Sequence, residues 1–150
     1  MSGFFYVLDE EARILFVDDD PILREFAQVN LASAAAHVDT AGDGIEALEA
    51  LERGNYDLLL VDLEMPRMDG FELLARVRAD PRTEHLPVVV ETGREDVEAI
   101  DRAFRAGATA FVTKPLNWRL LTYQLRFTLR AARAEAALRE ACNRVEGVAA

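Results

Sequence analysis

Side chains that suit a phosphoryl group follow four short apolar segments of the chain. They are Asp18, Asp19, Asp62, Thr92 and Lys114, and each stands at or just past the carboxyl end of a predicted strand. In a parallel sheet with helical crossovers, ligands bind outside the carboxyl ends of the strands. The sequence therefore predicts three carboxylates, a hydroxyl and an ammonium at one edge, a set that suits cation-dependent phosphoryl chemistry.

These side chains need a scaffold that brings distant segments together, and the apolar pattern predicts one. Short apolar runs alternate with helix-period segments, which is typical of strands joined by crossover helices. The second run is the weakest and suits a sheet edge, while the other four indicate strands covered on both faces. The predicted strands are 13–18, 36–40, 57–62, 87–91 and 109–113.

Helix signals fall between the predicted strands. Asp20 before Pro21 predicts the start of the first helix, Asp43 and Gly54 predict the ends of the second, and Gly107 closes the fourth. Apolar side chains at helical spacing support the first and fourth helices: Ile22, Phe26 and Val29 in one, and Val97, Ile100 and Phe104 in the other.

Composition narrows the functional class. The chain has 150 residues, 51% of them hydrophobic and 29% charged, which are globular values for one domain. Its formal charge of −10 argues against nucleic acid as a partner. No segment has the length and apolarity of a membrane span or the basic flank of a secretory signal. A single cysteine, Cys142, predicts a reducing cytoplasm.

Asp62 is the strongest functional candidate, because a carboxylate that ends a buried strand is costly unless something pairs with it. The next predicted helix begins too far away for Asp62 to cap it. Asp18, Asp19 and Asp20 precede Pro21. Asp20 suits a helix cap, which leaves two carboxylates that would repel Asp62 unless a cation is shared. Mg²⁺ suits such a site, since it binds one or two carboxylates and leaves room for a phosphate oxygen.

The last predicted helix is about twice the length that a small sheet can cover. Apolar residues follow one another in steps of four and three at positions 127, 131, 134, 138, 141, 145 and 148. This heptad-like seam has two interpretations: an alanine-rich solvated tail, or a two-stranded coiled coil that dimerises the chain. The second is narrowly favoured. The apolar run from Phe4 to Leu8 receives no assignment.

Four stretches together resemble the receiver domain of two-component response regulators. They are 14–21, 62–70, 87–92 and 107–115, and their order and spacing are highly specific. The resemblance implies a flavodoxin-like doubly wound α/β fold, with a five-stranded parallel sheet of order 2-1-3-4-5 and, in this chain, an extended C-terminal helix. It assigns 13–130 to the receiver domain, with 1–12 as an N-terminal extension and 131–150 as the extension of the last helix.

The resemblance also implies roles for individual residues. Asp62 is the phosphoacceptor, and Asp18, Asp19, Asp62 and the backbone carbonyl of Glu64 hold Mg²⁺. Thr92 and Lys114 contact the phosphoryl group. Thr92 and Phe111 form the switch, although a core position remains the default for a strand aromatic such as Phe111. Glu64 and Arg94 flank the pocket at positions that tune dephosphorylation in this family, and we hypothesise that the two side chains pair across its mouth.

Two residues depart from the usual receiver pattern. Glu91 stands where the family usually has an apolar residue, so the fourth strand is expected to end early or to bend. Gly93 replaces a common alanine and gives a looser turn.

The main functional prediction is a signalling switch rather than an enzyme. It takes phosphate from a histidine kinase or phosphotransfer protein and changes its helix 4, strand 5 and helix 5 surface for a downstream partner or output module. One alternative is an interaction scaffold with vestigial phosphorylation. A less favoured one is a haloacid-dehalogenase-type phosphatase that uses Asp18 and Asp20, but no aspartate follows Lys114 to complete that motif.

Overall fold

A computed structural model describes residues 11–93 and 97–149 of the chain. Its five strands are β1 (Ala12–Val17), β2 (Ala36–Ala41), β3 (Leu58–Asp62), β4 (Val88–Thr92) and β5 (Ala110–Thr113). All neighbouring strands are parallel, and their order is β2-β1-β3-β4-β5. The predicted fold class and strand order are confirmed, with β2 at an edge.

Five helices alternate with the strands: α1 (Pro21–Leu31), α2 (Gly44–Arg53), α3 (Gly70–Ala79), α4 (Val97–Arg105) and α5 (Trp118–Ala149). The predicted caps are confirmed. The Asp20 side chain accepts from the amide of Ile22, and Asp43 accepts from the amide of Glu46. Gly107, just past α4, has a φ of 109°, a left-handed conformation that favours glycine.

The strands bury apolar side chains on both faces of the sheet. Leu15, Leu59 and Val88 belong to one core cluster, which also receives side chains of α2 and α3. Phe16 and Leu60 belong to the second cluster, with side chains of α1 and α5. Because side chains alternate along a strand, the residues two positions after Phe16 and Leu60 also point to the second face. Those residues are the two aspartates, 18 and 62, and this alternation places both on one side of the sheet.

The structure differs from the sequence expectations in α1, α4 and β4. Both helices form, but their apolar stripes lie largely at the surface. In α1 the side chains of Ile22, Phe26 and Val29 are 61%, 48% and 74% exposed, and helix packing uses Ala27 and Leu31 instead. In α4 the buried side chain is Ala103, whereas Val97 and Phe104 are exposed.

The expectation that β4 ends early is wrong. The strand runs through Glu91 to Thr92, and Glu91 stays in register opposite Asp62 of β3.

The last helix extends far beyond the sheet that it covers. α5 has 32 residues, about 48 Å of helix, against strands of four to six residues. Its first half packs on the second core cluster through Leu121, Leu125 and Leu129, while the seam residues Phe127, Leu138 and Val145 are exposed. Within the described ranges, no helix combines the length and apolarity needed to cross a membrane.

Candidate functional site

Three carboxylates meet at the carboxyl ends of β1 and β3. Ligand oxygens of Asp18, Asp19 and Asp62 all lie within 4.8 Å of one another. Asp18 and Asp62 are buried, and Asp19 is exposed. Local backbone amides hold the two buried groups: Asp20 donates to Asp18 Oδ1 at 2.8 Å, and Glu64 donates to Asp62 Oδ1 at 3.0 Å. One oxygen of each buried carboxylate is therefore anchored, and the other faces its neighbours.

Lys114 supplies the cation of the site from the end of β5. Its Nζ donates to Asp62 Oδ2 at 2.7 Å and lies 3.7 Å from Asp18 Oδ2. The backbone amide of Lys114 donates to the carbonyl of Thr92 at 2.8 Å, which ties β5 to the end of β4. The Lys114–Pro115 peptide bond is cis. Lys114 is also the only lysine in the sequence, so every other side-chain cation of the chain, histidine aside, is an arginine.

Burial and pairing shift the ionisation of both partners. Burial raises the pKa of Asp62 above its usual value, although the hydrogen bonds from Lys114 and the Glu64 amide oppose that change. Burial alone would lower the pKa of the Lys114 amine, but the hydrogen bond to Asp62 and the nearby carboxylates hold it above its usual value. Lys114 therefore stays charged at neutral pH, and a positive charge remains beside Asp62.

Thr92 and Phe111 occupy different positions around this centre. Thr92 is buried at the end of β4 and lines a cavity of about 250 Å³ together with Glu64 and Arg102. Phe111 is 40% exposed, and its ring packs edge to face on Phe104 of α4 with 6.2 Å between ring centroids. The aromatic side chain therefore lies at the β5–α4 surface rather than in the core.

The family assignment follows from the sequence match. The profile of the response regulator receiver domain matches residues 14–126, a range that includes all the residues of the site. The chain belongs to this family.

Individual relatives agree with the assignment of a receiver domain. The chemotaxis protein CheY of Pseudomonas aeruginosa is 40% identical over 111 residues, covering 73% of this chain and 89% of that protein. The DNA-binding dual master transcriptional regulator RpaA of Synechocystis is 34% identical over 118 residues, covering 79% of this chain. The match spans only 49% of RpaA, about half its length.

Solved structures place the same fold in known response regulators. The chemotaxis response regulator CheY4 of Vibrio cholerae superposes with a TM-score of 0.75 at 31% sequence identity. The superposition covers 79% of this chain and 98% of that one. The receiver domain is a signalling domain, and the family profile ends at residue 126, which leaves most of α5 outside that match.

The acidic cluster of this receiver domain suits a small divalent cation. Three carboxylates converge, and Asp18 Oδ2 is buried without a hydrogen-bond donor from the described part of the chain. Oxygen donors of this kind are those that Mg²⁺ prefers, and the exposed side of the cluster at Asp19 leaves room for water ligands. The residues present therefore fit the cation that the receiver fold implies.

Glu91 is a member of the site that sequence reasoning noticed as a departure but did not place there. It is fully buried, its Oε1 lies 4.0 Å from Lys114 Nζ, and neither of its oxygens has a hydrogen-bond donor among the residues that the structure describes. Burial, together with the nearby Asp18, raises the pKa of Glu91 to about 10. The carboxyl is thus neutral at pH 7. The signal in the sequence that could have assigned Glu91 to the site was an acidic residue within the apolar run of β4.

Arg67 is a further residue that the sequence did not single out. It has a φ of 63° in the loop between β3 and α3, and its guanidinium pairs with Asp43 at the start of α2. Asp43 is buried, and the hydrogen bonds that it accepts from Glu46 and Arg67 outweigh its burial and lower its pKa. The pair fastens the loop that follows Asp62 to a neighbouring helix.

Proposed function

We propose that this receiver domain accepts a phosphoryl group on Asp62 from a histidine kinase or phosphotransfer protein. The observation that supports it is the position of Asp62 between two aspartates and the ammonium of Lys114. A carboxylate is a poor nucleophile toward an anion unless positive charge surrounds the incoming group. The site supplies one such charge from Lys114 and a place for another at its acidic cluster.

The residues divide the chemistry among them. Asp18, Asp19, Asp62 and the backbone carbonyl of Glu64 would hold Mg²⁺, which when bound supplies positive charge against phosphoryl oxygens. A carboxylate oxygen of Asp62 forms the new bond to phosphorus as the bond to the donor histidine nitrogen breaks. Lys114 exchanges its contact with Asp62 for a phosphoryl oxygen, and the Thr92 hydroxyl donates to another.

The proposed response lies at the α4, β5 and α5 surface. Movement of Thr92 toward the phosphoryl group would empty space beside it, and Phe111 would rotate inward from its packing on Phe104. This is a population shift between two packings, in which the added charge favours one. A downstream partner or output module would bind the changed surface. A companion proposal is that Glu64 pairs with Arg94 across the mouth of the pocket. Arg94 lies outside the described residues.

Acetyl phosphate offers a direct test of the phosphoacceptor. With Mg²⁺, we expect intact-mass analysis to show one added phosphoryl group, lost in Asp62→Asn. Asp69→Asn is a matched control, because Asp69 only caps α3 and asparagine caps equally well. Phosphorylation that persists in Asp62→Asn would refute the assignment.

An interaction scaffold with vestigial phosphorylation is the second candidate. The observation that favours it is Glu91, which places a further buried carboxyl group beside Lys114 at the site where a phosphoryl group would bind. The scaffold predicts no acyl phosphate under the same conditions. The phosphatase alternative receives little support, since Asp20 caps α1 and Lys114 pairs with Asp62. It predicts many turnovers instead of one stable adduct.

Two exposed apolar surfaces suit the proposed partners. The stripe Ile22, Phe26 and Val29 on α1 begins next to the acidic cluster, where a kinase or phosphotransfer protein must approach. The seam of Phe127, Leu138 and Val145 on α5 suits a second copy of the chain in a coiled coil. With a single cysteine, the chain is assigned to the cytoplasm.

The coiled coil is tested by charge placement on α5. With Leu138→Glu, we expect the molar mass measured by light scattering to fall from that of a dimer to that of a monomer. The charge at a seam position would have to be desolvated on association, which disfavours the dimer. Ala137→Glu, one residue along and off the seam, should leave the dimer intact. Equal masses for both variants would favour the solvated-tail interpretation.

A further inference from the structure

Charged side chains flank the apolar seam of α5 at defined positions. Written as heptads abcdefg, the seam puts residues 131, 138 and 145 at a, and residues 127, 134 and 141 at d. Arg130 and Arg144 then occupy g, directly before an a position, and Glu135 occupies e, directly after a d position. In a two-stranded coiled coil, the e and g side chains set partner choice and helix orientation.

The seam and the contact of α5 with its own domain lie on different sides of the helix. Leu121, Leu125 and Leu129 are buried against the second core cluster. Phe127 and Leu138 are exposed, and the periodicity of the helix puts them on the opposite side. A second helix can therefore lie along the seam without displacing the core of the domain.

The flanking charges differ in the partners that they have within the chain. Arg144 lies 3.4 Å from Glu140, an ion pair between positions i and i+4 of the helix. Arg130 and Glu135 are exposed, and neither forms an ion pair with another described residue of its own chain. These two side chains are therefore the ones available for pairing between helices.

The two helix orientations bring these charges together differently. In a parallel pair, a g residue faces the e residue of the next heptad, so Arg130 meets Glu135 of the second copy on both sides of the seam. In an antiparallel pair, g faces g and e faces e. With every described seam position aligned, Arg130 then meets Arg144 of the second copy, and Glu135 meets Glu135 of the second copy. The parallel pair thus joins opposite charges, whereas the antiparallel pair joins like charges.

We propose that α5 pairs with α5 of a second copy in parallel and in register, and that Arg130 and Glu135 select this partner and orientation. The inference rests on the dimer of the proposed function and specifies its geometry. Alanine occupies seam positions 131, 134 and 141, so the seam buries little apolar area and the flanking charges have a large share in partner choice. Both receiver domains would lie at the same end of the coiled coil.

Charge reversal in the full chain tests the pairing, with sedimentation equilibrium to measure the dissociation constant of the dimer. Arg130→Glu puts an acid opposite Glu135, and Glu135→Arg puts a base opposite Arg130. Each variant alone should raise the dissociation constant at least about tenfold, because opposite charges are replaced by like charges on both sides of the seam. An equimolar mixture of the two variants should return to within about threefold of the unaltered chain, since the mixed dimer again joins opposite charges.

Arg144→Glu is the matched control. It makes the same charge reversal at the same heptad position, but the e residue of the next heptad, at position 149, is an alanine. We expect it to change the dissociation constant by less than about twofold. Circular dichroism of each variant checks that α5 keeps its helix content.

An antiparallel dimer gives a different result. Arg130→Glu and Arg144→Glu would each tighten it, because each removes a contact between like charges. An unchanged or tighter dimer with Arg130→Glu, equal weakening by Arg144→Glu, or a mixture no tighter than its components would overturn the parallel pairing and leave the dimer itself standing. An unaltered chain that stays monomeric at every concentration would refute both the pairing and the proposed dimer. Phosphorylation of Asp62 is a separate proposal that none of these outcomes affects.

Discussion

Single residues at the proposed phosphoacceptor site are held by contacts of different kinds. Backbone amides anchor one oxygen each of Asp18 and Asp62, while Lys114 bridges the other oxygens. Amide contacts are set by the local turn and change little when a ligand binds. The lysine contact is a flexible side chain on a charged partner. Under the proposed function, Lys114 is therefore the group expected to exchange Asp62 for a phosphoryl oxygen while the carboxylates stay in place.

The ionisation of Lys114 should report directly on Asp62. Reductive ¹³C-methylation gives one lysine signal in NMR, since the sequence has a single lysine, and the α-amino group serves as an internal reference. We expect the lysine signal to titrate above the usual pKa of its amine, and Asp62→Asn to lower that midpoint, because the charged partner is lost. An unchanged midpoint in Asp62→Asn would contradict the pairing.

Glu91 should make folding less favourable as pH rises. Its pKa is raised to about 10 from 4.5, so the folded chain keeps a proton that the unfolded chain releases. The contribution of Glu91 to the free energy of unfolding is fully present below its pKa in the unfolded chain. It is lost as pH rises toward its pKa in the folded chain, by up to about 1.4 kcal/mol per pH unit.

Glu91→Gln keeps the shape of the side chain without the titration. Its free energy of unfolding should therefore exceed that of the unaltered chain by a margin that widens from about pH 5 to about pH 9. Urea unfolding in a metal chelator measures this margin. Parallel pH profiles for the two proteins would show that Glu91 is not the buried acid described above.

At the scale of elements, the start of α3 packs directly on the end of β3. A Cβ on Gly70 would lie 2.6 Å from the carbonyl oxygen of Asp62 and 2.8 Å from the Cα of Leu63. Gly70→Ala should therefore lower the free energy of unfolding by about 1–3 kcal/mol, because backbone must shift. Gly93→Ala should change it by less than about 0.5 kcal/mol, since no atom of the residues in 11–93 and 97–149 lies within 4 Å of the added Cβ. Equal losses in urea unfolding would refute this contrast.

Element boundaries were predictable where the signal is local. Asp20 and Asp43 cap their helices because their side chains reach amides two or three residues away, and such contacts do not depend on the rest of the fold. Burial of α1 was not predictable in the same way. Ile22, Phe26 and Val29 face solvent while Ala27 and Leu31 pack, because the face that α1 buries is set by its position against other elements and not by its own apolar spacing.

At the scale of the whole molecule, the order of the strands in the sheet brings residues that are distant in the sequence together at the site. The carboxyl ends of β1, β3, β4 and β5 are adjacent, so residues at four predicted strand ends had to share one edge. The alternation of side chains then places Asp18, Asp62, Glu91 and Lys114 on one side. The sequence could not supply the protonation of Glu91 or the direction of Phe111, since both depend on neighbours from other elements.

Charge is distributed unevenly over the molecule. α5 carries six arginines and three glutamates, a formal charge of +3, which leaves −13 for the other residues of a chain with a net charge of −10. Part of this negative charge converges on the acidic cluster. A divalent cation that binds there favours the folded state, because the unfolded chain does not bring the three aspartates together.

Mg²⁺ should therefore stabilise the whole domain through a contact with Asp19 and not with the neighbouring Asp20. At about a hundred times its dissociation constant, a bound cation adds about 2.7 kcal/mol to the free energy of unfolding. We expect Asp19→Asn to abolish most of this gain, measured as the rise in Tm with Mg²⁺. Asp20→Asn removes the same charge one residue away, but Asp20 caps α1 and asparagine also caps well, so its gain should persist. Loss of the gain in Asp20→Asn, with retention in Asp19→Asn, would move the cation to the Asp18 and Asp20 pair of the phosphatase alternative.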